Sequence, residues 1–280
     1  MNNYMLRNGS KIPVVGFGTW EITPNDKAES MVAAALKAGY RHIDTAKIYG
    51  NEQGVGKAIR ESGIARSDIF VTTKLWNDSQ SYEAAMAACN ESLKNLGLEY
   101  LDLYLIHWPK TTGRHDAWKA FEELQANGKV RSIGVSNYTV KHLQELIDQG
   151  GEMPAVNQVE FHPFIYQQQK PLLEFCHEHD IVLEAYSPLS RLSDTDNPEI
   201  NDIAEKYEKS PQQVVLRWCL EQGTLPLPRS TSSGHLGDNL EIFDFKLSKD
   251  DMAILNGISD GKRVTWDPAS MGNEDRKSVV

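Results

Sequence analysis

Eight short apolar runs, at residues 14–18, 40–44, 69–74, 101–107, 130–136, 155–160, 181–186 and 224–228, recur along the chain with longer amphipathic stretches between them. Such alternation is the mark of repeated βα units and a parallel sheet. Eight units in 280 residues fit an α/β fold, one (β/α)8 TIM barrel forming a single domain over 1–280, and no Pro/Gly/Ser-rich linker divides them. The intervening stretches MVAAALKAG, YEAAMAACNESLKNLG, AWKAFEELQANGK and HLQELIDQG end at or near glycine, as a left-handed C-terminal position favours. Ser210-Pro211 reads as an N-cap followed by proline at the first helical position, opening a helix over 212–221. Residues 6–12, centred on Asn8-Gly9, predict a two-residue hairpin that plugs the closed end of the barrel. The polar stretch 191–198 predicts a loop over the open end; after Ser248 come one more helix and an irregular tail.

The polar residues within this pattern are not scattered. Asp44, Lys74, His107, Ser136-Asn137, Gln158 with Glu160, Tyr186-Ser187 and Arg229-Ser230 all fall at the C-terminal ends of predicted strands. That end is the functional face of a barrel. Asp44 and Tyr49 lie five residues apart in GYRHIDTAKIYGNE, while Lys74 and His107 end the next two strands. An ammonium beside a phenol stabilises the phenolate and lowers its pKa from about 10. Lys74 is placed to do this for Tyr49, and Asp44 to keep Lys74 charged and oriented. Tyr49 then becomes a usable proton donor, and His107 a group that orients a substrate oxygen. The same residues would also suit a structural ion pair with two rim aromatics. Their convergence on adjacent strand ends favours chemistry.

The formal net charge of −10 excludes a general nucleic-acid surface, which needs a basic face to release counterions. A few local cations would still hold one anionic cofactor. No stretch of the N-terminus resembles a signal peptide, and no window approaches the roughly 20 apolar residues of a membrane span. A cytoplasmic protein with no membrane partner is expected. Cys89, Cys176 and Cys219 lack CxxC spacing, so neither a disulfide framework nor a zinc ribbon is expected. GFG at 16–18 does not extend to GxGxxG, GVGKA at 54–58 is no P-loop, and His177 and His179 face different ways on a helix. No metal site is expected.

GYRHIDTAKIYGNE, TTKLW, LIHWP, GVSNY, NQVEFHP and AYSPL, in that order, resemble the motifs of the aldo-keto reductases. The similarity runs from GFGTW at Gly16 to FDFKLS ending at Ser248, and the short link between His107 and Trp118 resembles the compact bacterial members. That group includes reductases of diketo sugar acids and methylglyoxal. The resemblance implies NADPH/NADP+ as cofactor, with NADH possible, a small carbonyl compound as substrate, and a monomer. It makes Tyr49 the proton donor, Lys74 and Asp44 the pair that tunes it, and His107 the carbonyl-orienting residue. Ser136, Asn137 and Gln158 match the side chains that hold the nicotinamide carboxamide, and Tyr186 the ring stacked beneath the nicotinamide. Gly18, Thr19, Trp20 and the loop Ser187, Pro188, Leu189, Ser190 would line the cofactor channel. Trp20, Trp76 and Trp108 match the aromatic walls of the substrate pocket, which Tyr49 and His107 complete.

The cofactor's phosphate end is expected at PRSTSSGHLGDN, with Arg229, Ser230, Thr231 and His235 as the anion site. Asp238 and Asn239 match residues that recognise adenine. Here Arg229 stands where the family commonly has lysine, and His235 where a second cation is expected. A histidine is mostly neutral at pH 7 unless its pKa is raised, so one certain cation remains for a 2′-phosphate. Lys47, three residues after Asp44, could compete for that carboxylate or reach an acidic substrate, and is expected instead to point to solvent. Two other readings fit parts of the pattern: a cofactor-binding regulatory or sensor protein without turnover, and a Schiff-base aldolase using Lys74. The complete tetrad and the absence of an obvious interaction extension weigh against the first, and the second is suggested by the barrel alone.

Overall fold

The computed structural model describes residues 2–189, 192, 197–230 and 234–270. Its strands are β1 (Asn3–Met5), β2 (Lys11–Pro13), β3 (Phe17–Gly18), β4 (His42–Asp44), β5 (Phe70–Leu75), β6 (Leu101–Ile106), β7 (Val130–Ser136), β8 (Val156–Glu160), β9 (Val182–Tyr186) and β10 (Leu225–Leu227). Its helices are α1 (Asn25–Ala38), α2 (Glu52–Glu61), α3 (Tyr82–Leu96), α4 (Arg114–Ala126), α5 (Val140–Gln149), α6 (Tyr166–Glu178), α7 (Pro198–Lys206), α8 (Pro211–Glu221), α9 (Gly234–Asp238) and α10 (Lys249–Gly257). Strands β3 to β10 pair in sequence order, every pair parallel. Backbone bonds Gly16 N–H to Pro226 C=O, 3.1 Å, and Gly18 N–H to Pro228 C=O, 3.2 Å, join the first strand's segment to the last. The sheet thereby closes into the expected eight-stranded barrel.

Alternation along each strand divides the apolar residues into two layers. Ile43, Val71, Tyr104, Ile133, Val135, Leu183 and Ala185 belong to the large core beneath the helices. Phe70, Leu103, Leu105, Val156, Leu225 and Leu227 form a second cluster. Two positions further along the same alternation come Lys74 after Thr72, His107 after Leu105, Gln158 after Val156 and Tyr186 after Glu184. The barrel's interior is thus apolar at the N-terminal end and polar at the other. At Gly134 on β7 an added Cβ would lie 2.6 Å from Val156 C=O and 2.8 Å from Leu105 Cδ2, so packing there admits no side chain.

The N-terminal hairpin closes the apolar end, because Leu6 and Ile12 join the inner cluster at 2% and 0% exposure. Each such side chain contributes about 1.5–3 kcal/mol by leaving water. The loop is not the expected two-residue turn. Gly9 N–H bonds to Leu6 C=O at 2.8 Å and Leu6 N–H to Ser10 C=O at 2.8 Å, with Gly9 at φ 82°. This is a three-residue connection with a glycine bulge. Asn8 favours it by donating to Arg131 C=O and Ser132 Oγ of the barrel and accepting from Ser10 N–H, so its side chain is occupied with docking.

Helix boundaries follow the expected signals. Gly39 and Gly97, at φ 115° and 62°, end α1 and α3. Ser210 and Gln213 form a reciprocal capping box at the start of α8, with Pro211 at its first position. All three cysteines are buried thiols, on α3, α6 and α8. Among the described residues no helix is long and apolar enough to cross a membrane, and no group of three or more potential ligands forms a metal site.

Candidate active site

The C-terminal mouth of the barrel holds a cavity of about 600 Å³. At its base Lys74 is fully buried, and its ammonium donates to Asp44 Oδ1 at 2.6 Å, Thr45 C=O at 2.9 Å and Tyr49 Oη at 3.4 Å. Three donors meet three acceptors. Burial works against the lysine's charge, but Asp44 and Tyr49 outweigh it and hold the ammonium pKa above its ordinary value. Tyr49 stands on a 3-10 turn, Lys47–Tyr49, that Gly50 ends in the left-handed conformation. Its ring packs against Trp20 at 4.9 Å and edge-on to His107 at 5.8 Å.

The sequence led to the expectation that Lys74 would leave the Tyr49 pKa below its ordinary value. The structure differs: burial raises it, Lys74 opposes this and Asp44 adds to the rise, so the phenol stays above its ordinary value. Tyr49 is therefore a protonated donor whose anion the neighbouring ammonium is placed to receive. His107 follows β6 and is 8% exposed. Burial, then Lys74, depresses its pKa well below the usual range, so the imidazole is neutral. Its Nδ1 has no hydrogen-bond partner. An unpaired acceptor costs less than an unpaired buried donor, which favours the tautomer with the proton on Nε2.

Ser136, Asn137, Gln158 and Tyr186 line one side of the cavity. Asn137, at φ 63°, donates to His107 C=O at 2.9 Å and to Ser136 Oγ at 3.1 Å, and accepts from Tyr186 Oη at 2.8 Å. Ser136 Oγ donates to Gln158 C=O at 2.8 Å. Both side chains are largely committed to the protein. Gln158 differs: its Nε2 donates to Asp44 Oδ2 at 2.8 Å and Glu184 Oε2 at 2.7 Å, and Oε1 takes no hydrogen bond from the described residues. An amide with an unused acceptor facing this cavity fits a carboxamide ligand.

Other expected site residues divide. Gly18, Trp20, Trp76, Trp108, Ser187, Pro188, Leu189 and Arg229 line the cavity. Thr19 does not: it is fully buried, and its N–H and hydroxyl both bond to Asp44 C=O, at 3.0 and 2.9 Å. It holds the end of β4 in place. Asn239 is 5% exposed and Asp238 lies outside the cavity lining. His235 is exposed and stands 3.7 Å from Asp238 Oδ2. Burial of Asn239 follows from the turn after α9, where the chain re-enters the outer core at Leu240 and Ile242. Ser190 and Thr231 lie outside the described residues. Lys47 pairs with Glu91 of α3 at 2.7 Å, away from Asp44. Arg229 forms an ion pair with Glu21 and bonds to Trp20 C=O at 3.3 Å.

The sequence reading missed the wall made by Val264, Thr265 and Trp266. Trp266 packs on Trp108 at 5.6 Å, completing the aromatic side. What holds this segment is Glu160, fully buried at the end of β8. Its carboxylate accepts from Val264 N–H at 2.7 Å, Thr265 N–H at 3.1 Å, the Thr265 hydroxyl and His162 Nε2 at 3.0 Å. Tyr186 Oη meets Thr265 Oγ1 at 2.8 Å. Burial would raise the Glu160 pKa, but His162, Thr265 and Val264 hold it below the ordinary carboxylate value. Its contribution is therefore present above the ordinary value and lost as pH falls through the lowered one. Glu160→Gln replaces an acceptor-only group with one that has a single oxygen. The variant is expected to release the segment and speed tryptic cleavage after Lys262 and Arg263, while unchanged cleavage would show that Glu160 is not the anchor. The available signal was Glu160 itself, an acid at a strand end with no assigned partner.

Residues 14–260 match the model of the aldo/keto reductase family. The chain is 46% identical over 263 residues to glyoxal reductase of Bacillus subtilis, covering 94% of this chain and 95% of that protein. A crystal structure of an aldo/keto reductase from Brucella melitensis superposes with a TM-score of 0.87 at 48% identity, covering 92% of this chain and 99% of that one. An aldo-keto reductase from Bombyx mori in complex with NADP superposes with a TM-score of 0.88 at 36% identity, covering 94% of each chain. With its closed parallel barrel, its polar mouth and this match over most of its length, the chain belongs to the aldo/keto reductase family.

Proposed function

We propose that the protein reduces small aldehydes and ketones, α-dicarbonyls among them, to alcohols, with a nicotinamide cofactor and a preference for NADPH. One observation carries this reading: the Lys74 ammonium lies within 2.6 Å of Asp44 and 3.4 Å of the Tyr49 phenol, beneath an aromatic-walled cavity. The cofactor, when bound, supplies the hydride that reaches the carbonyl carbon. Tyr49 gives its phenolic proton to the carbonyl oxygen as negative charge develops there, and Lys74 stabilises the resulting phenolate. His107, neutral with its proton on Nε2, donates a hydrogen bond that orients that oxygen. Trp20, Trp76, Trp108 and Trp266 surround the substrate with apolar surface and exclude water.

Gln158 would hold the carboxamide through Oε1, with Ser136 and Asn137 bracing it, and Tyr186 would support the nicotinamide ring. Arg229 would grip the 2′-phosphate after leaving Glu21. A charge-assisted hydrogen bond is worth about 1.5–3 kcal/mol, and loss of the Glu21 pair offsets part of that. A preference of about tenfold in kcat/KM for NADPH over NADH follows, at 1.4 kcal/mol per factor of ten. Arg229→Gln is expected to abolish most of it. The test is oxidation of each cofactor, followed by absorbance, with glyoxal, methylglyoxal and aromatic aldehydes. Equal rates with NADH would overturn the preference, and tight binding without turnover would favour a regulatory protein. Use of Lys74 as a Schiff-base nucleophile is disfavoured, because that chemistry needs a neutral amine with an available lone pair and Lys74 is held as an ammonium with all three hydrogens engaged.

A further inference from the structure

One buried acid beneath the site has no part in the reaction described above. Glu184 of β9 is fully buried inside the barrel. Its Oε2 accepts from Gln158 Nε2 at 2.7 Å, while its Oε1 has no hydrogen-bond partner. Gln158 is thus shared between two carboxyl groups, Asp44 and Glu184, through the two hydrogens of a single NH2. One bond, to the acceptor-only Asp44, sets which end of the amide faces the acids but leaves the side chain able to swing about it. Bonded to both, its NH2 is fixed and its oxygen is left over.

We propose that Glu184 is a positioning residue for cofactor binding: by taking the second amide hydrogen of Gln158, it keeps Oε1 aimed at the nicotinamide carboxamide. This rests on the cofactor role given to Gln158 above. The charge balance requires Glu184 to do so as a neutral acid. Facing it are Asp44 and His42 on β4 and Lys74 on β5, while β10 on its other side offers Leu225 and Leu227. His42 stands 3.8 Å from Oε1 and is neutral, because burial and then Lys74 lower its pKa to about 3. Lys74 is already matched by Asp44. A second buried anion would be uncompensated.

Burial, reinforced by Asp44 and opposed by Gln158 and Lys74, raises the Glu184 pKa to about 8. Ionisation above that pH places a new negative charge beneath the Lys74 and Tyr49 pair, makes Tyr49 a weaker acid and slows reduction. The same raised pKa sets the sign for stability. The folded protein holds a proton that the unfolded chain releases above its ordinary value of 4.5, so stability is lost as pH rises from there to about 8.

The test compares wild type with Glu184→Gln, Glu184→Leu, Gln158→Leu and the Glu184→Leu/Gln158→Leu double variant, by NADPH dissociation constant, kcat against pH and thermal unfolding against pH. Glu184→Gln keeps an acceptor for Gln158 and should bind NADPH as wild type does. It should lose both the activity limb near pH 8, about tenfold in kcat between pH 7 and pH 9, and the fall in melting temperature between about pH 4.5 and pH 8. Glu184→Leu should weaken NADPH binding about tenfold, an effect absent once Gln158 is already leucine. An equal penalty in both backgrounds, or an unchanged pH limb in Glu184→Gln, would overturn the proposal. Gln158→Leu binding NADPH normally would instead remove the reading of Gln158 on which it rests. Should Glu184→Leu fail to fold, the pH limb of Glu184→Gln decides alone.

Discussion

Tyr49→Phe is expected to lower kcat by about 10²–10⁴-fold, the range for loss of a positioned general acid, and to leave the NADPH dissociation constant unchanged. The substitution isolates the hydroxyl. The phenylalanine ring keeps its packing on Trp20 and His107, and the 3-10 turn that Gly50 ends depends on backbone geometry alone. What disappears is a phenol that burial keeps protonated and that lies 3.4 Å from the Lys74 ammonium. An alkoxide forming in the cavity then has no proton donor of matched pKa, and His107 offers it only a hydrogen bond. Single-turnover and steady-state kinetics with the same carbonyl check the result. A loss confined to KM would move Tyr49 from proton donor to binding wall.

Lys74→Met carries the second large effect, on stability and activity together. Methionine approximates the lysine stem but leaves Asp44 and Thr45 C=O without their shared donor. Breaking a buried ion pair on one side costs about 3–5 kcal/mol, since the remaining charge is left uncompensated. Denaturant unfolding should register that loss, and kcat should fall at least as far as in Tyr49→Phe. Asp44→Asn combined with Lys74→Met separates the two consequences. The double variant removes both charges, so its stability should recover beyond the sum of the single changes, while its activity should not. Recovery of activity with stability would mean that the pair is structural, the alternative that the residue types alone leave open.

How far the sequence reaches depends on the range of the contacts involved. Strand positions and their polar ends were legible because alternation and strand length are local. Asp44, Lys74 and His107 therefore fell at the mouth, and the short stretch after β4 brought Tyr49 with them. The capping box at Ser210 and Gln213 was half legible, from serine before proline. What was not legible depends on partners far apart in the chain. Glu160 reaches Val264 and Thr265 more than a hundred residues away, across a tail with no periodicity to align it. The fully buried Glu184 looks, in VLEAY, like any acid in a strand. Thr19 read as channel lining because its neighbours Gly18 and Trp20 are. Its burial comes from Asp44 C=O on the adjacent strand. The hairpin turn was misjudged because Asn8 is occupied by β7 and not by its own turn alone.

The central claim is hydride transfer to a carbonyl with the proton supplied by this chain. The direct test is reduction of methylglyoxal with NADPH deuterated at the transferring carbon of the nicotinamide, with the alcohol analysed by mass spectrometry. The account predicts an alcohol carrying one deuterium on the former carbonyl carbon, formed by wild type and only at the reduced rate by Tyr49→Phe. An alcohol without the label, or no alcohol from protein shown to bind NADPH, would contradict it.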